Sequence, residues 1–489
     1  TEVSTRSMLF SGIAAVSGGA LVDAGDWNEV LFGFGAFLVA TEQVTVLHDG
    51  SDGAAAVIRA TGPLGELSFA GDLIAGLVGG ADYSGLPAAM DYALEPGTDA
   101  IRVTLHVGQP APRSARVPFL LQGFFQHYRM TAGTAEGGFG APSRAVPMVA
   151  FIDDLGTSYA WLAPEGGALD PLVEVSGVLV FSGGRASVPP CGRESFPLGT
   201  LVLGGRGLPG LQVALARHRG ETLRTVTGSV RHADGSPAPE ARVHVRGADA
   251  RHFARLLAEP DGTFAVDVPE GEVSFFAHRP GSPLLGPVAV SGSMSTVDLT
   301  LPATGTIHVD VTDGASGEPI PARVQVLPVG GAPEVPPDFG ERGLASGRAH
   351  VEFTTDGALD LPVAPGEHDV VVSRGYEFEL HTERVAVAAD ATVNVSAALE
   401  RVVDTTGVMC ADYHIHTHRS PDSPDSPQYK LLSLIADGVE IAIRSDHEWV
   451  NDFQPVIEAL GVERYAFGIG GEELTTFAWG HFGVFPLVE

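Results

Sequence analysis

The sequence predicts a multidomain, mainly β protein that ends in a stretch of parallel α/β structure. Its 62 glycines and 35 prolines punctuate alternating runs rich in Val, Leu and Thr, which favours strands joined by tight turns over long helices. A strand-and-turn pattern occurs twice between residues 222 and 402. After Arg401 the pattern changes again, to strand-like and helix-like segments in alternation. At 489 residues the chain exceeds a single core, and roughly three to four domains are expected. The expected divisions are 1–221, 222–302, 303–402 and 403–489.

Within 1–221, the runs "QVTVLH", "AAAVIRA", "AIRVTLHV" and "LVEVSGVLVFSG" are separated by turn signals such as "HDGSDG" and "EPGTD". This spacing predicts a large β-sandwich. The segment "MDYALEPGTDAIRVTLHV" resembles a strand pair of the supersandwich in galactose-mutarotase-like domains, a resemblance that implies sugar binding or presentation. "GGRGLPG" contains a formal Gly-x-Gly-x-x-Gly from Gly205 to Gly210, but its proline and its β surroundings point to a turn rather than a dinucleotide site.

The repeat begins with "TVTGSVRHADGSPAPEARVHVRG" and "EPDGTFAVDVPEGEVSFFAHR", and returns as "TGTIHVDVTDGASGEPIPARVQVLP" and "TTDGALDLPVAPGEHDVVVSR". Both copies carry a proline-containing approach to the Ala-Arg-Val of the second strand (Pro-Glu-Ala-Arg-Val, then Pro-Ala-Arg-Val), an Asp-Gly turn, and a further turn with proline and glycine (Pro-Glu-Gly, then Pro-Gly). Glycine tolerates positive φ, Asp closes its own backbone turn and Pro presets φ, so each position has a local reason. The two copies, 222–302 and 303–402, resemble the carboxypeptidase regulatory-like (transthyretin-like) β-sandwich, which implies spacer or interaction modules without catalytic residues.

Composition narrows the function. A net charge of -31, from 60 acidic against 29 basic residues, repels nucleic acid and anionic membranes over most of the surface. Lys430 is the one lysine, which removes Walker-type and Schiff-base lysine chemistry. There is no Gly-x-Ser-x-Gly elbow. Cys191 and Cys410 are either two thiols or one bridge. The apolar stretches "LFSGIAAVSGGALV" and "VLFGFGAFLVA" are too short or too glycine-rich to span a bilayer, and no signal-peptide pattern opens the chain, so a soluble protein is expected.

The chemistry concentrates in 403–489. "VMCADYHIH", "VEIAIRS" and "RYAFGIG" read as strands, with helices at "PQYKLLSLIADG" and "FQPVIEALG" and a further strand at "GHFGVFPLV". In "DYHIHTHRSPDS", Asp412, His414 and His416 lie two apart and share one strand face. Asp446 and His447 stand where the next strand stops, Glu472 and Glu473 follow the third, and His481 comes soon after. Histidine and carboxylate at successive strand ends gather where a parallel barrel builds its site, and such ligands suit Zn, Mn or Fe.

These three stretches, "DYHIHTHRSPDS", "GVEIAIRSDHE" and "GEELTTFAWGHF", resemble successive motifs of the PHP (polymerase and histidinol phosphatase) family, particularly its CehA/McbA-type metal-dependent hydrolases. The resemblance implies a (β/α)7 barrel with two or three divalent ions. His414, His416, Asp422, His447, Glu473 and His481 would be the ligands, Glu473 being preferred to Glu472 by alignment with the family's Gly-x-Glu. Asp412 would orient a histidine from behind. Asp446 and Arg444 are the candidate catalytic residues, Asp446 also fitting an orienting role, and Arg419 and Arg444 offset the acidic surface for an anionic substrate. The family's later motifs would lie beyond His481, so 403–489 corresponds to the N-terminal half of the barrel. The expected activity is attack of a metal-activated water on a small-molecule phosphoester, ester or carbamate. The alternative is an extracytoplasmic glycan- or protein-binding multi-sandwich protein with a non-catalytic barrel. An extracytoplasmic setting, with glycan or cell-surface contact through the sandwiches, follows from the module types.

Overall fold

The computed structural model describes residues 41–64, 85–117, 144–153, 157–175, 178–182, 186–249, 251–331, 347–420, 425–476 and 480–488. To these it adds short strand segments at 2–3, 13–17, 20–23, 31–32, 121–125 and 130–133, and positions 39, 336, 339 and 423. The described structure is mainly β, with helices only at Gly207–Arg219 (α1), Pro427–Ala436 (α2) and Gln454–Leu460 (α3) among these residues. It divides into two compact units, Thr1–Leu223 with Phe477–Trp479, and Arg224–Thr476 with Gly480–Glu489. The expected apolar stretches near the N-terminus fall largely outside the described residues.

The first unit is built on an eight-stranded sheet. Its spatial order is Met130–Gly133, Met148–Asp153, Thr157–Leu162, Gly192–Arg206, Ala100–Gln109, Pro87–Leu94, Ala56–Pro63 and Gln43–His48. Alternation decides its faces. Ile101, Val103, Leu105 and Val107 point into a core with Phe151, Trp161 and Phe181, the last contributed by a separate four-stranded sheet. On the opposite face Ala100 and Val202 pack under Leu208, Leu211 and Leu215 of α1. That helix corrects the turn expected at "GGRGLPG". A Cβ at Gly210 would sit 2.4 Å from the backbone of Gly205, and one at Gly204 would sit 2.4 Å from Leu211. The glycines therefore let the helix fold back against the end of its own strand, and burial of the leucines outweighs their poor helix propensity.

The second unit contains the repeat. Its first copy pairs Thr263–Pro269, Leu223–Arg231 and Thr296–Thr300 in one sheet, and His252–Leu257, Arg242–Gly247, Val273–His278 and Leu285–Val290 in another. The second copy repeats that order with Ala358–Val363, Gly305–Asp313 and Thr392–Leu399, and with His350–Thr354, Ala322–Pro328, Gly366–Ser373 and His381–Val387. In both, the first and last strands run parallel, and each copy closes its own apolar core. The Asp-Gly turns are equivalent in detail: Gly262 (φ 79°) and Gly357 (φ 83°) each give a carbonyl to the first strand, at Val230 N and Val311 N, both at 2.7 Å. A side chain at either would strike that strand, so only glycine fits.

The last segment forms a three-stranded parallel sheet from Ala411–Ile415 (β1), Ile441–Arg444 (β2) and Phe467–Gly470 (β3), in that order. Ser426 caps α2 by accepting a bond from Tyr429 N at 3.1 Å, Pro427 opens the helix, and Gly438 follows it at φ 85°. Leu431 and Ile435 of α2 pack with Ile415, Ala442, Phe453 and Ile457 into one core. Glu472–Thr476 (β4) and Gly480–Val484 (β5) depart from the expected run of parallel strands, because they pair with each other as an antiparallel hairpin. The short connection between them cannot make a parallel crossover, which needs about a dozen residues or more. Cys191 and Cys410 are both exposed thiols with no bridge. No helix among the described residues is long and apolar enough to cross a membrane.

Candidate metal centre

Three pieces of chain bring the histidines and the carboxylate together. His414 and His416 come from the C-terminal end of β1, their rings 4.8 Å apart between centroids. A register shift in the β1–β2 pairing between Asp412 and Ile415 leaves His414 on the open side while Ile415 turns into the core. His447 follows β2 and is drawn beside Glu473 of β4 by a bridge between the two backbones. His481 lies on β5 opposite Thr475.

Glu473 is the hub. Its Oε2 lies 3.0 Å from His414 Nε2, 2.8 Å from His416 Nε2 and 3.4 Å from His447 Nδ1, and its Oε1 lies 2.8 Å from His481 Nδ1. The Glu473 side chain is 4% exposed, whereas those of His414 and His481 are 63% and 51% exposed. The carboxylate therefore forms the floor and the two outer histidines the solvent-facing rim. Burial by itself would raise the Glu473 carboxyl, but the hydrogen bond from His414 and the charges of His447, His416 and His414 outweigh it and hold it below the ordinary range.

The donors fall into two overlapping sets, His414–His416–Glu473 and His447–Glu473–His481, the ligand atoms of each lying within 4.8 Å of one another. Nitrogen and carboxylate oxygen are borderline donors, and three protein ligands with a solvent-open side match the usual composition of a catalytic rather than a structural zinc-type site. Glu473 is common to both sets. By donor type and spacing, these residues fit a divalent transition metal.

The remaining expected residues take other positions. Asp422 lies outside the described residues. Asp412 accepts a bond from the backbone N–H of His414 at 3.0 Å, so it orients that residue through the main chain rather than through a ring nitrogen. Asp446 and Arg444, expected as catalytic groups, are buried at 0% and 7% exposure. Asp446 Oδ2 accepts from Arg444 Nε at 2.8 Å, from Thr417 Oγ1 at 2.8 Å and from Asn451 Nδ2 at 3.0 Å, while Oδ1 accepts from Thr417 N at 2.5 Å. This network ties the loop after β1 to the loop after β2 and so fixes the spacing between His416 and His447. Both side chains are thus turned inward and bonded to each other, away from the exposed rim of the histidine cluster. Arg419 lies over the ring of Trp449, 5.1 Å from its centroid.

Spacing alone did not single out Thr417, Asn451 or Thr475. Thr475 Oγ1 lies 2.5 Å from His447 Nδ1 and holds that ring, a contact that follows from the backbone bridge between His447 and Glu473, which has no local signature.

No protein-family model and no curated protein sequence matches the chain. Among solved structures it is similar to the Bacillus anthracis TIE protein, with 9% identity over 63% of this chain and 57% of that one and a TM-score of 0.17. It is also similar to a Streptococcal ancillary pilin, with 11% identity over 48% of this chain and 80% of that one and a TM-score of 0.21. The shaft pilin SpaA of Lactobacillus rhamnosus GG matches with 8% identity over 37% of this chain and 99% of that one, at a TM-score of 0.24. TM-scores of this size do not define a shared overall fold.

Proposed function

We propose that the chain carries the metal centre of a PHP-type hydrolase, built by His414, His416, His447, Glu473 and His481. The observation that carries this reading is the convergence of four histidines on one buried carboxylate, Glu473. A divalent Zn, Mn or Fe ion bound there would lower the pKa of a coordinated water and supply positive charge opposite a developing oxyanion. The chain's own contribution is positional. Glu473 fixes both donor sets, Thr475 holds the His447 ring, and the Arg444–Asp446–Thr417 network keeps the two strand-end loops in register. The exposed rim at His414 and His481 admits a small substrate, for which a phosphoester, a carboxyl ester and a carbamate are equally compatible. In this reading β1 to β3 are the opening strands of a PHP-type barrel.

A second reading is an extracytoplasmic protein that binds glycan or a protein partner through its sandwiches. It is favoured by the extent of sandwich structure, which occupies both repeat copies and the first unit. One experiment separates the two. Purified protein is expected to carry Zn, Mn or Fe by elemental analysis, and the double variant His414→Ala/His416→Ala to lose it, together with any hydrolysis of generic phosphoesters, esters or carbamates. Metal content unchanged in that variant overturns the metal reading and leaves the binding one.

A further inference from the structure

A second constellation lies on the first unit's eight-stranded sheet. Ala100, Arg102, Thr104 and His106 alternate along one face of their strand, and α1 covers only the Ala100 end of it. At the other end, four neighbouring strands place Ser195, His106, Asp91 and Arg59 side by side. Register puts Ser195 directly opposite His106 and Arg59 directly opposite Asp91, with Asp91 two positions along from the residue that faces His106. Ser195 Oγ lies 2.7 Å from His106 Nδ1, and His106 Nε2 lies 2.9 Å from Asp91 Oδ2. Arg59 donates to both Asp91 oxygens at 2.6 Å.

Polar side chains paired across strands are common, and most serve the sheet. The direction of these bonds is what distinguishes the group. Burial alone would raise the Asp91 carboxyl, but the bonds from Arg59 and His106 outweigh it and keep the group ionised, so Asp91 can only accept. Its partner, His106 Nε2, must then carry the ring proton. In the neutral imidazole Nδ1 is left as the acceptor, and the exposed Ser195 hydroxyl donates to it. Hydroxyl, base and orienting carboxylate are thus polarised in one sense, the arrangement that activates a serine.

We propose that Ser195 is a base-activated nucleophile, with His106 as its general base and Asp91, clamped by Arg59, as the residue that positions the imidazole. As Ser195 Oγ bonds to the carbonyl carbon of an ester, its proton passes to His106 Nδ1. The tetrahedral species then collapses with loss of the alcohol, which takes that proton. Water, deprotonated by the same nitrogen, releases the acid and restores Ser195. The exposed Arg193, two residues before Ser195 on the same strand face, is the candidate to steady the oxyanion. A missing oxyanion donor typically costs roughly 100- to 1,000-fold in rate, which restricts the site to activated acyl or phosphonyl groups and excludes amides.

A fluorophosphonate probe tests this on the full chain, because attack by Ser195 forms the P–O bond and expels fluoride without needing turnover. Mass spectrometry is expected to find the adduct on the peptide containing Ser195, with none at that position in Ser195→Ala. His106→Ala should label roughly 100-fold more slowly, and added imidazole should restore labelling, which a purely structural role for His106 would not allow. Absence of an adduct at Ser195, or labelling equally fast in folded His106→Ala, overturns the proposal.

Discussion

Glu473 is reached by all four site histidines, and its burial decides what each of them can do. His414, His416, His447 and His481 are visible in the sequence because ligand-type residues stand out at strand ends. The choice between Glu472 and Glu473 is a matter of one residue's phase along β4, and the structure places Glu473 on the floor of the site. Arg444 and Asp446 are equally conspicuous in sequence, yet their burial together makes them a brace between loops, because spacing does not reveal which side chains solvent can reach. Outside the site, His308 offers a direct electrostatic measurement. The hydrogen bond to Asp360 at 2.7 Å, opposed by slight desolvation and supported by Asp310, raises its pKa above the ordinary 6.5. A histidine raised on folding contributes stability below its unfolded pKa and loses it as pH rises through the folded value. NMR titration is expected to give a midpoint above 6.5 for His308, and Asp360→Asn to bring that midpoint down; an unmoved midpoint would remove Asp360 as the cause.

At the scale of elements, the turn and cap chemistry was the most legible part of the chain. The glycines that follow α2 and α3 and the repeated Asp-Gly turns occupy the places their local chemistry demands, and the structure adds the cap at Ser426. Ser426→Ala removes the one side-chain bond that caps α2 and is expected to cost about 1 kcal/mol, measurable as a lowered denaturation midpoint with native secondary structure retained. Helix α1 was illegible for the converse reason. Its Gly207, Pro209 and Gly210 read as breakers, and only the packing of Leu208, Leu211 and Leu215 against the sheet shows why a helix forms there. The β4–β5 hairpin was hidden because Glu-Glu-Leu-Thr-Thr of β4 is not an apolar run, and the run at β5 indicates a strand without naming its partner.

Across the whole molecule, the two repeat copies share more than a strand order. Phe339, in the second copy, is fully buried against the first. Its ring stacks on His244 at 4.2 Å between centroids, and the Arg246 guanidinium lies over the same ring, 4.7 Å from its centre. Phe339→Ala is therefore expected to destabilise the first copy by about 3–5 kcal/mol. In denaturant unfolding of the intact chain, the first copy's transition should move to lower concentration although the altered residue lies outside it. Independent, unshifted transitions would show that the copies fold without reference to each other.

The sequence by itself determined the mainly β character, the duplication, the α/β change after Arg401 and the ligand types near the C-terminus, all properties of periodicity and local turn chemistry. Tertiary structure decided which carboxylate the histidines surround, that Arg444 and Asp446 face inward, and that Ser195 meets a histidine 89 positions away. These are consequences of strand register. A shift of one residue would send each of those side chains to the opposite face, and nothing within a local window of sequence specifies it.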